Sequence, residues 1–284
     1  MLRRTAPTPP GPVRSCRVGG RRAIAGTPRL SQTCRVIRSF PNHGEVGVDG
    51  AARRPKVSPP KAFLARLPTA IRQELLGRGQ PCRYEPGDRL LVEGGVDTHV
   101  ILLTSGFVKV TNVVEGFEAL VAIRGAGDIV GESAALADQP RMASVTACGV
   151  VTGCLVIAEA FRHVLGRHPD AARLVTATVA ERLRWANQRR ADFVAYSAEV
   201  RLARVLVEIA RTYGRQLDDG AVVIDVPLSQ PELATMIGVA EATVHKALRT
   251  LRDGELIRSG YRRVYILDLD ALRRMGHEPP GLSP

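Results

Sequence analysis

The hydrophobic period of this chain changes near residue 158, and that change constrains the fold more than any other feature. Between Cys82 and Ile157, apolar runs of four to seven residues alternate with glycine-bearing turns such as Pro86-Gly87-Asp88 and Gly125-Ala126-Gly127. Strands repeated roughly every 8–12 residues with turn chemistry between them are typical of an antiparallel sandwich or roll. We therefore predict an antiparallel β-roll or jelly roll, with strands at Arg89–Val92, Val100–Leu103, Phe107–Val113, Ala119–Ile123, Ser144–Ala147 and Gly153–Ile157.

Beyond residue 158 the apolar spacing becomes helical. A short helical run covers Glu159–Leu165, and Pro169 then opens a run that continues to about Tyr196 without glycine or internal proline. Proline is well placed at a helix start because its missing N–H would have no partner there. One stripe recurs at three- and four-residue steps, as in a coiled-coil seam: Thr176, Val179, Leu183, Ala186, Arg190 and Phe193. The stripe predicts a long dimerisation helix; the alternative is a surface helix packed on its own β-roll.

Helical patterns also flank these two regions. A short helix is expected at 64–76 and another at 199–213, followed by a strand at Val222–Val226. The pattern then gives two short helices, Gln230–Ile237 and Ala242–Arg252, and two apolar stretches around 256–267. We therefore divide the chain into a basic tail (1–58), a β-roll domain (59–168), the long helix (169–197), a helical C-terminal domain (198–275) and a short end segment (276–284).

The charge of the chain is concentrated in its first segment. The net charge is +12, and residues 1–60 contribute 12 Lys or Arg against two acids. A segment so rich in Arg, Pro and Gly buries too little apolar area to offset its chain entropy, so we expect it to be disordered. The alternatives are an arm that touches DNA, an organelle transit peptide, or a start codon assigned too far upstream. The high pI is therefore not by itself evidence of function.

The cysteine pattern and the hydropathy predict a cytoplasmic protein without a membrane span. Five cysteines without a CxxC pair favour reduced thiols in the cytoplasm over a disulfide framework. No run approaches the roughly 18 apolar residues that a membrane span requires, and we expect no membrane partner.

The two short helices near residue 238 carry the chemistry of a DNA-binding motif. Ser229 is placed to cap the first helix, Pro231 suits its first turn, and Gly238 permits the tight turn to the second helix. The second helix presents polar side chains followed by cations, as a recognition helix needs for base edges and phosphates. The alternative is a helical hairpin with a merely solvated face. The residues expected to contact DNA, including a wing hairpin at 258–263, are Ser229, Gln230, Glu241, Ala242, Thr243, His245, Lys246, Arg249, Arg262 and Arg263.

These segments resemble a known family. Leu228–Ile257 looks like the winged helix-turn-helix of the Crp/Fnr transcription regulators, and Tyr84–Asp88 and Ser105–Val110 are similar to the β-roll of their cyclic-nucleotide-binding domain. Gly127–Leu136 followed by Gln139-Pro140-Arg141 resembles the phosphate-binding cassette of that domain. The resemblance implies an α+β protein: an antiparallel β-roll/jelly-roll sensor domain, a long dimerisation helix and a C-terminal winged helix-turn-helix domain. It implies a regulator and not an enzyme, with double-stranded DNA, a second copy of the chain and RNA polymerase as partners.

The resemblance also implies an effector site. A carboxylate that accepts from a ribose hydroxyl and a guanidinium that forks onto a phosphodiester are the two groups a cyclic nucleotide requires. Glu132 and Arg141 have the family spacing for these roles. The implied effector is cAMP or a related cyclic nucleotide, and no covalent cofactor is expected. The expected ligand-binding residues are Gly131, Glu132, Ser133, Ala134, Arg141, Met142, Arg182 and Asn187.

Several positions depart from the family pattern. Met142 stands where cAMP-responsive members place Ser or Thr, and Ala186 stands where Thr commonly reaches the purine. Glu241, Ala242 and Lys246 replace the Arg-Glu-x-x-x-Arg pattern of the best-known member, so its operator sequence is not carried over. These departures leave open a vestigial pocket, in which Glu132 and Arg141 would pair with each other.

A different effector also stays open: a partner protein, a haem held by His99 or Cys82, or a redox signal. An iron–sulfur sensor is disfavoured, because Cys16 and Cys34 are 18 residues apart in the tail. Six scattered histidines offer no nucleophile–base pair or metal set, which argues against an enzyme.

Overall fold

The computed structural model describes residues 35–36, 62–260 and 263–277. Two antiparallel sheets form the β-roll, with strand orders β1-β2-β9-β4-β7 and β3-β8-β5-β6. Their facing sides enclose a core that includes Tyr84, Leu90, Ile101 and Val108, which confirms the predicted architecture. The strands are β1 (Arg35–Val36), β2 (Gln80–Tyr84), β3 (Arg89–Leu91), β4 (Val100–Ser105), β5 (Phe107–Val114), β6 (Phe117–Gly125), β7 (Ile129–Val130), β8 (Ser144–Ala147) and β9 (Val151–Val156).

Helices cover one side of this roll and lead away from it. They are α1 (Phe63–Arg66), α2 (Thr69–Gly77), α3 (Glu132–Ala137), α4 (Ala158–Arg167) and α5 (Pro169–Ala195). The first two helices, α4 and the start of α5 pack on the outer side of the five-stranded sheet, around Leu75, Phe161 and Val175. No helix in the described part of the chain is both long and apolar enough to cross a membrane.

The structure corrects the sequence expectation at the start of the β-roll. The single helix expected at 64–76 is broken at Pro68, because a residue before proline is pushed out of the helical region, and Leu67 has a ψ of 138°. The strand β2 was missed, since Gln80–Tyr84 shows only a weak alternation of buried positions. Two residues of the segment expected to be disordered, Arg35–Val36, form a strand that pairs with β2. The rest of residues 1–58 lies outside the described ranges.

The long helix α5 has two faces with different surroundings. Its inner face contacts this chain's own domains through buried or half-buried residues that include Val175, Thr178, Arg182 and Trp185. The stripe expected to form a dimer seam lies to one side of that face and is largely exposed. Leu183 in this stripe is 61% exposed.

The C-terminal domain has its own sheet and core. It contains α6 (Ala198–Tyr213), β10 (Arg215–Gln216), β11 (Val222–Ile224), α7 (Gln230–Ile237), α8 (Glu241–Asp253), β12 (Ile257–Gly260), β13 (Arg263–Ile266) and α9 (Leu269–His277). The sheet order is β10-β11-β13-β12. Leu120 and Ile123 of β6 belong to the same apolar cluster as α6, α7 and α8. The β-roll and the C-terminal domain are therefore docked on each other through β6.

Candidate functional sites

The cassette that resembles a phosphate-binding loop begins at a glycine with a left-handed backbone. Gly131 follows β7 with a φ of 85° and precedes α3, a backbone conformation that favours glycine. A Cβ atom here would lie 2.5 Å from Nη1 of Arg141 and 2.9 Å from the carbonyl oxygen of His99. Only glycine therefore allows the loop to lie directly against the Arg141 side chain.

Arg141 is held inside the β-roll by three acceptors. Its Nη1 donates to the Gly131 carbonyl at 3.0 Å, and its Nη2 donates to the His99 carbonyl at 2.6 Å and to Asp97 at 2.9 Å. The side chain is 2% exposed. Its Nε is a buried donor without a hydrogen-bond partner among the described residues. This guanidinium is planar and has one unused donor, which can donate a hydrogen bond to an additional anionic oxygen.

Asp97 is the counter-ion of this cluster. Nδ1 of His99 lies 3.0 Å from the same carboxylate oxygen that Arg141 contacts. The hydrogen bond from His99, followed by that from Arg141, holds the pKa of Asp97 well below its ordinary value, against the opposing effect of burial. Asp97 is therefore ionised at neutral pH and offsets the buried charge of Arg141.

Glu132 is engaged by the long helix. Its carboxylate accepts from Nη1 of Arg182 at 2.6 Å, and Arg182 also donates through Nη2 to the Ile129 carbonyl at 2.7 Å. The Glu132 side chain is 6% exposed and that of Arg182 is 23% exposed. The cassette and α5 are therefore joined by an ion pair that is largely shielded from water.

The expected ligand-binding residues separate into two groups and two outliers. Glu132, Ser133 and Arg182 are in contact, since Ser133 Oγ donates to Glu132 at 3.2 Å. Gly131 and Arg141 form the second group, and Ala134 is buried in α3. Met142 is 71% exposed, and Asn187 lies on the exposed side of α5. Glu132 and Arg141 do not pair with each other: each has its own partner within the chain.

The first helix of the DNA-binding motif starts as the sequence predicts. The Ser229 side chain accepts from the backbone N–H of Glu232, and the Glu232 carboxylate accepts from the backbone N–H of Ser229, forming a capping box. Because Ser229 Oγ also donates to Glu232 at 2.9 Å, this hydroxyl is committed to the cap. Gly238 ends the helix with a φ of 65°, the left-handed turn for which glycine was expected.

The second helix exposes the face predicted to contact DNA. Val244, Ala247, Leu248 and Leu251 of α8 are buried against the domain core. The opposite face carries Glu241, Ala242, His245, Lys246 and Arg249, all exposed, with Thr243 half-buried. Arg249 has only a loose contact with Asp253, at 3.6 Å between highly exposed side chains. Gln230 is half-buried at the start of α7.

In the wing hairpin, Arg263, which was expected to contact DNA, is paired with a carboxylate of its own domain. β12 and β13 pair in register as far as Gly260 and Arg263. Arg263 Nε lies 2.9 Å from Asp225 Oδ1, so its charge is partly offset within the domain. Arg262 lies outside the described residues.

Charged and polar contacts fix the motif against the rest of the molecule. Lys109 of β5 lies 2.6 Å from Glu232 of α7, and the Leu120 N–H in β6 donates to Thr235 at 3.0 Å. At the other end of α7, Arg189 of α5 donates to the Met236 carbonyl at 3.3 Å. Cations near a helix C-terminus stabilise its unpaired carbonyl groups. Burial lowers the pKa of Arg189 to about 10, which leaves it charged at neutral pH.

Sequence reasoning missed the residues that engage the expected site. Asp97 and His99 were not assigned to the cassette, and Lys109, Thr235 and Arg189 were not assigned to the docked interface. Asp97 and Arg141 are 44 residues apart, and no local period connects them. Asp97 follows the turn sequence Glu93-Gly94-Gly95, which carried no signal of a charged partner.

Comparisons with known proteins agree with this geometry. A model of the cyclic nucleotide-binding domain matches residues 81–168, and a model of the Crp-like helix-turn-helix domain matches residues 200–275. Together the two matches cover more than half of the chain, in the order in which the structure presents the two domains.

Individual proteins resemble the chain over both domains. A CRP-like cAMP-activated global transcriptional regulator of Mycobacterium tuberculosis is 29% identical over 196 residues, which cover 69% of this chain and 87% of that protein. The structure of FixK2 from Bradyrhizobium japonicum is similar with a TM-score of 0.61 at 21% identity, covering 70% of this chain and 98% of that one. A CRP-family transcriptional regulator from Thermus thermophilus has a TM-score of 0.57 at 25% identity, covering 69% and 96%.

Proposed function

Because this chain belongs to the Crp/Fnr family of DNA-binding transcription regulators, we propose that it acts as a homodimer gated by a cyclic nucleotide of the cAMP type. The nucleotide would occupy the cassette between Gly131 and Arg141, and α8 would read a pseudo-palindromic DNA site. We place this activity in the cytoplasm and include RNA polymerase among its partners, as the family resemblance implies.

The environment of Arg141 carries the effector proposal. Placing a guanidinium at 2% exposure costs free energy unless its donors are satisfied. Two of its nitrogens are satisfied by Asp97 and backbone carbonyl groups, and Nε is not. An anionic oxygen of a phosphodiester supplies the missing acceptor, and Gly131 keeps the approach free of a Cβ atom.

Gating would work through competition for Glu132. A ribose hydroxyl that donates to Glu132 competes with Arg182, which now lies 2.6 Å from that carboxylate. Arg182 and Arg189 are two turns apart on α5, about 10 Å along the helix, and Arg189 contacts the end of α7. Releasing Arg182 would therefore change how α5 holds the helix-turn-helix, which shifts the population between two arrangements of that domain.

The exposed stripe of α5 supports the dimer. Leu183 of this stripe is 61% exposed, and Val194, next to the last residue of the stripe, is 92% exposed, on a helix of 27 residues. A second copy of α5 would bury this stripe and leave the inner face unchanged. A two-fold dimer places its two recognition helices on half-sites about one helical turn of DNA apart.

A second candidate function is a regulator that binds DNA without a nucleotide. The observation in its favour is that Glu132 and Arg141 already have intramolecular partners, Arg182 and Asp97. Met142 adds to it, because this exposed side chain offers no hydroxyl to a phosphate.

Calorimetric titration of the dimer with cAMP separates the two functions. We expect saturable binding of one nucleotide per chain, lost in Arg141→Ala. Since Arg141→Ala also removes a structural contact, Met142→Thr is the matched gain-of-function variant: it adds a hydroxyl at an exposed position and should tighten binding.

The nucleotide proposal fails if the parent and Met142→Thr both give no heat at millimolar cAMP while the protein still binds a DNA site selected from random sequence. Loss of DNA binding itself, with the fold intact by circular dichroism, would contradict the whole function. A monomer at micromolar concentration in sedimentation would contradict the dimer.

A further inference from the structure

A cavity lies between the β-roll and the C-terminal domain, beside the contact through which they are docked. It has a volume of about 170 Å³ and lies between β6, the inner face of α5 and α6, with Met236 of α7 at one side. A single water needs only about 10–15 Å³ of such space, so the cavity has room for a small metabolite. Neither Glu132 nor Arg141 lines it, but Arg182, the partner of Glu132, does, so the cavity adjoins the cassette and shares this one residue with it.

Arg124 is the unusual residue of this cavity. Its guanidinium donates to the neighbouring Ile123 carbonyl at 2.8 Å. Within the described residues it makes no ion pair with a carboxylate. Burial, and then the charge of Arg182, lower its pKa against the opposing effect of Asp128 and Glu132, but an arginine stays protonated in proteins. The chain therefore maintains a half-buried cation whose recorded hydrogen-bond acceptor is a single backbone carbonyl group.

Of the five other charged residues that line the cavity, four are already engaged, and Glu208 makes no ion pair within the described residues. Arg66 pairs with Glu181 at 2.9 Å, and Arg182 pairs with Glu132 at 2.6 Å. Asp128 accepts from the Tyr213 hydroxyl at 2.9 Å and from the Gly125 N–H at 2.8 Å. Arg124 is thus the lining cation that forms no direct ion pair in the described structure, although Asp128 and Glu132 attract it from a greater distance.

We propose that this cavity is a second ligand site, which takes a small dianion, a phosphate monoester or a dicarboxylate, with Arg124 as its anion-binding residue. Two anionic oxygens match the fork of a guanidinium. Arg182 lines the same cavity and repels Arg124, so a dianion also relieves the repulsion between these two like charges.

The position of the site gives the ligand a regulatory effect. Arg124 belongs to the sensor domain, whereas Tyr213 and Met236 belong to the C-terminal domain. A ligand that contacts both domains binds their docked arrangement better than a separated one and therefore stabilises it. A nucleotide in the cassette would influence this site through Arg182, but Arg124, its anion-binding residue, belongs to this cavity and not to the cassette.

The chain has a built-in reporter for the test. Trp185 is the single tryptophan of the 284 residues, and it lines this cavity. We would titrate the full-length protein with glycerol 3-phosphate and with succinate at constant ionic strength and follow Trp185 fluorescence. Glycerol and succinamide are the matched neutral probes, and the two dianions distinguish a phosphate from a carboxylate ligand.

The expected result is a saturable fluorescence change with at least one dianion and none with its neutral analogue. Arg124→Met should weaken that binding by about tenfold or more, the loss expected when a charged hydrogen-bonding partner is removed. Arg211→Met makes the same change in charge at an exposed position of α6 outside the cavity, and it should bind like the parent. Arg124→Lys keeps the charge without the fork and should lie between the two.

Two outcomes overturn the proposal: equal responses to the dianions and the neutral probes, or equal dianion binding by the parent and both Arg124 variants. Calorimetry with cAMP on Arg124→Lys keeps the two sites apart. Nucleotide binding without dianion binding overturns only this inference, and the reverse overturns only the cassette proposal.

Discussion

The cassette of the β-roll and the face of α8 that we propose contacts DNA both carry ionisable side chains. Those of the cassette are buried and paired, and those of α8 are exposed. Glu132 and Arg141 are nearly buried, and each is already paired, with Arg182 and Asp97. Lys246 and His245 are exposed, and no ion pair engages them in the described part of the chain. Any ligand of the cassette must therefore compete with internal contacts, whereas DNA at the proposed interface would meet side chains without an internal ion pair. The first surface is suited to control and the second to recognition.

The largest effect expected from this difference is on stability. Arg141→Ala removes one donor each from Asp97 and from the Gly131 and His99 carbonyl groups inside the β-roll, so the free energy of unfolding should fall by about 3 kcal/mol. Urea denaturation followed by circular dichroism measures the change, with Arg211→Ala as the exposed control. A loss below about 1 kcal/mol would mean that the cluster behaves like a surface ion pair.

The next effect is a dependence on pH. The pKa of Asp97 is lowered in the folded state, so its ionised form contributes stability above its unfolded pKa of about 3.9. That contribution is lost as the pH falls through and below this value. Asp97→Asn should be less stable than the parent at pH 7 and should show a flatter decline toward pH 3. Parallel curves for the two proteins in urea unfolding between pH 7 and pH 3 would contradict the assignment.

A substitution on α8 should separate binding from stability. Lys246→Ala should weaken DNA binding by about tenfold and reduce the salt dependence of the affinity by about one unit of slope. Its free energy of unfolding should stay within about 0.5 kcal/mol of the parent, because the side chain is exposed. Fluorescence anisotropy with a selected DNA site at several salt concentrations measures the affinity and its salt slope, urea denaturation measures the stability, and Arg72→Ala in α2 is the control. An unchanged salt slope would remove Lys246 from the DNA interface.

The smallest effect concerns the contact between the two regions. Lys109→Met removes the ion pair with Glu232, whose side chains are 17% and 27% exposed, and should cost about 0.5–1 kcal/mol. In calorimetric melting, we expect the β-roll and the C-terminal domain to separate into two transitions more readily in this variant. Thr235→Val, which removes the acceptor of the Leu120 N–H, should act in the same direction. Unchanged melting in both variants would show that the apolar contacts of β6 alone hold the domains together.

The sequence predicted the elements whose signals are local. The turn sequences and apolar runs of the β-roll gave most of its strands, and the run after Pro169 gave α5 to within a residue or two. Ser229 and Gly238 marked the two ends of α7, and the buried and exposed faces of α8 followed from its period. The sequence-based prediction was wrong where a single residue interrupts a helical pattern of apolar residues, as Pro68 does in the helix expected at 64–76.

What the sequence determined by itself is therefore the order of the domains and the residue types at the two expected sites. Tertiary structure alone decided the partners: Asp97 for Arg141, Arg182 for Glu132, β6 for α7, and, within the described residues, no direct ion pair for Arg124. The physical reason is the separation along the sequence of the residues that interact. Strand and helix periods, caps and turns depend on neighbours within a few residues, whereas these pairings join positions 44 to 115 residues apart. Such pairings exist only once the sheets and α5 have packed.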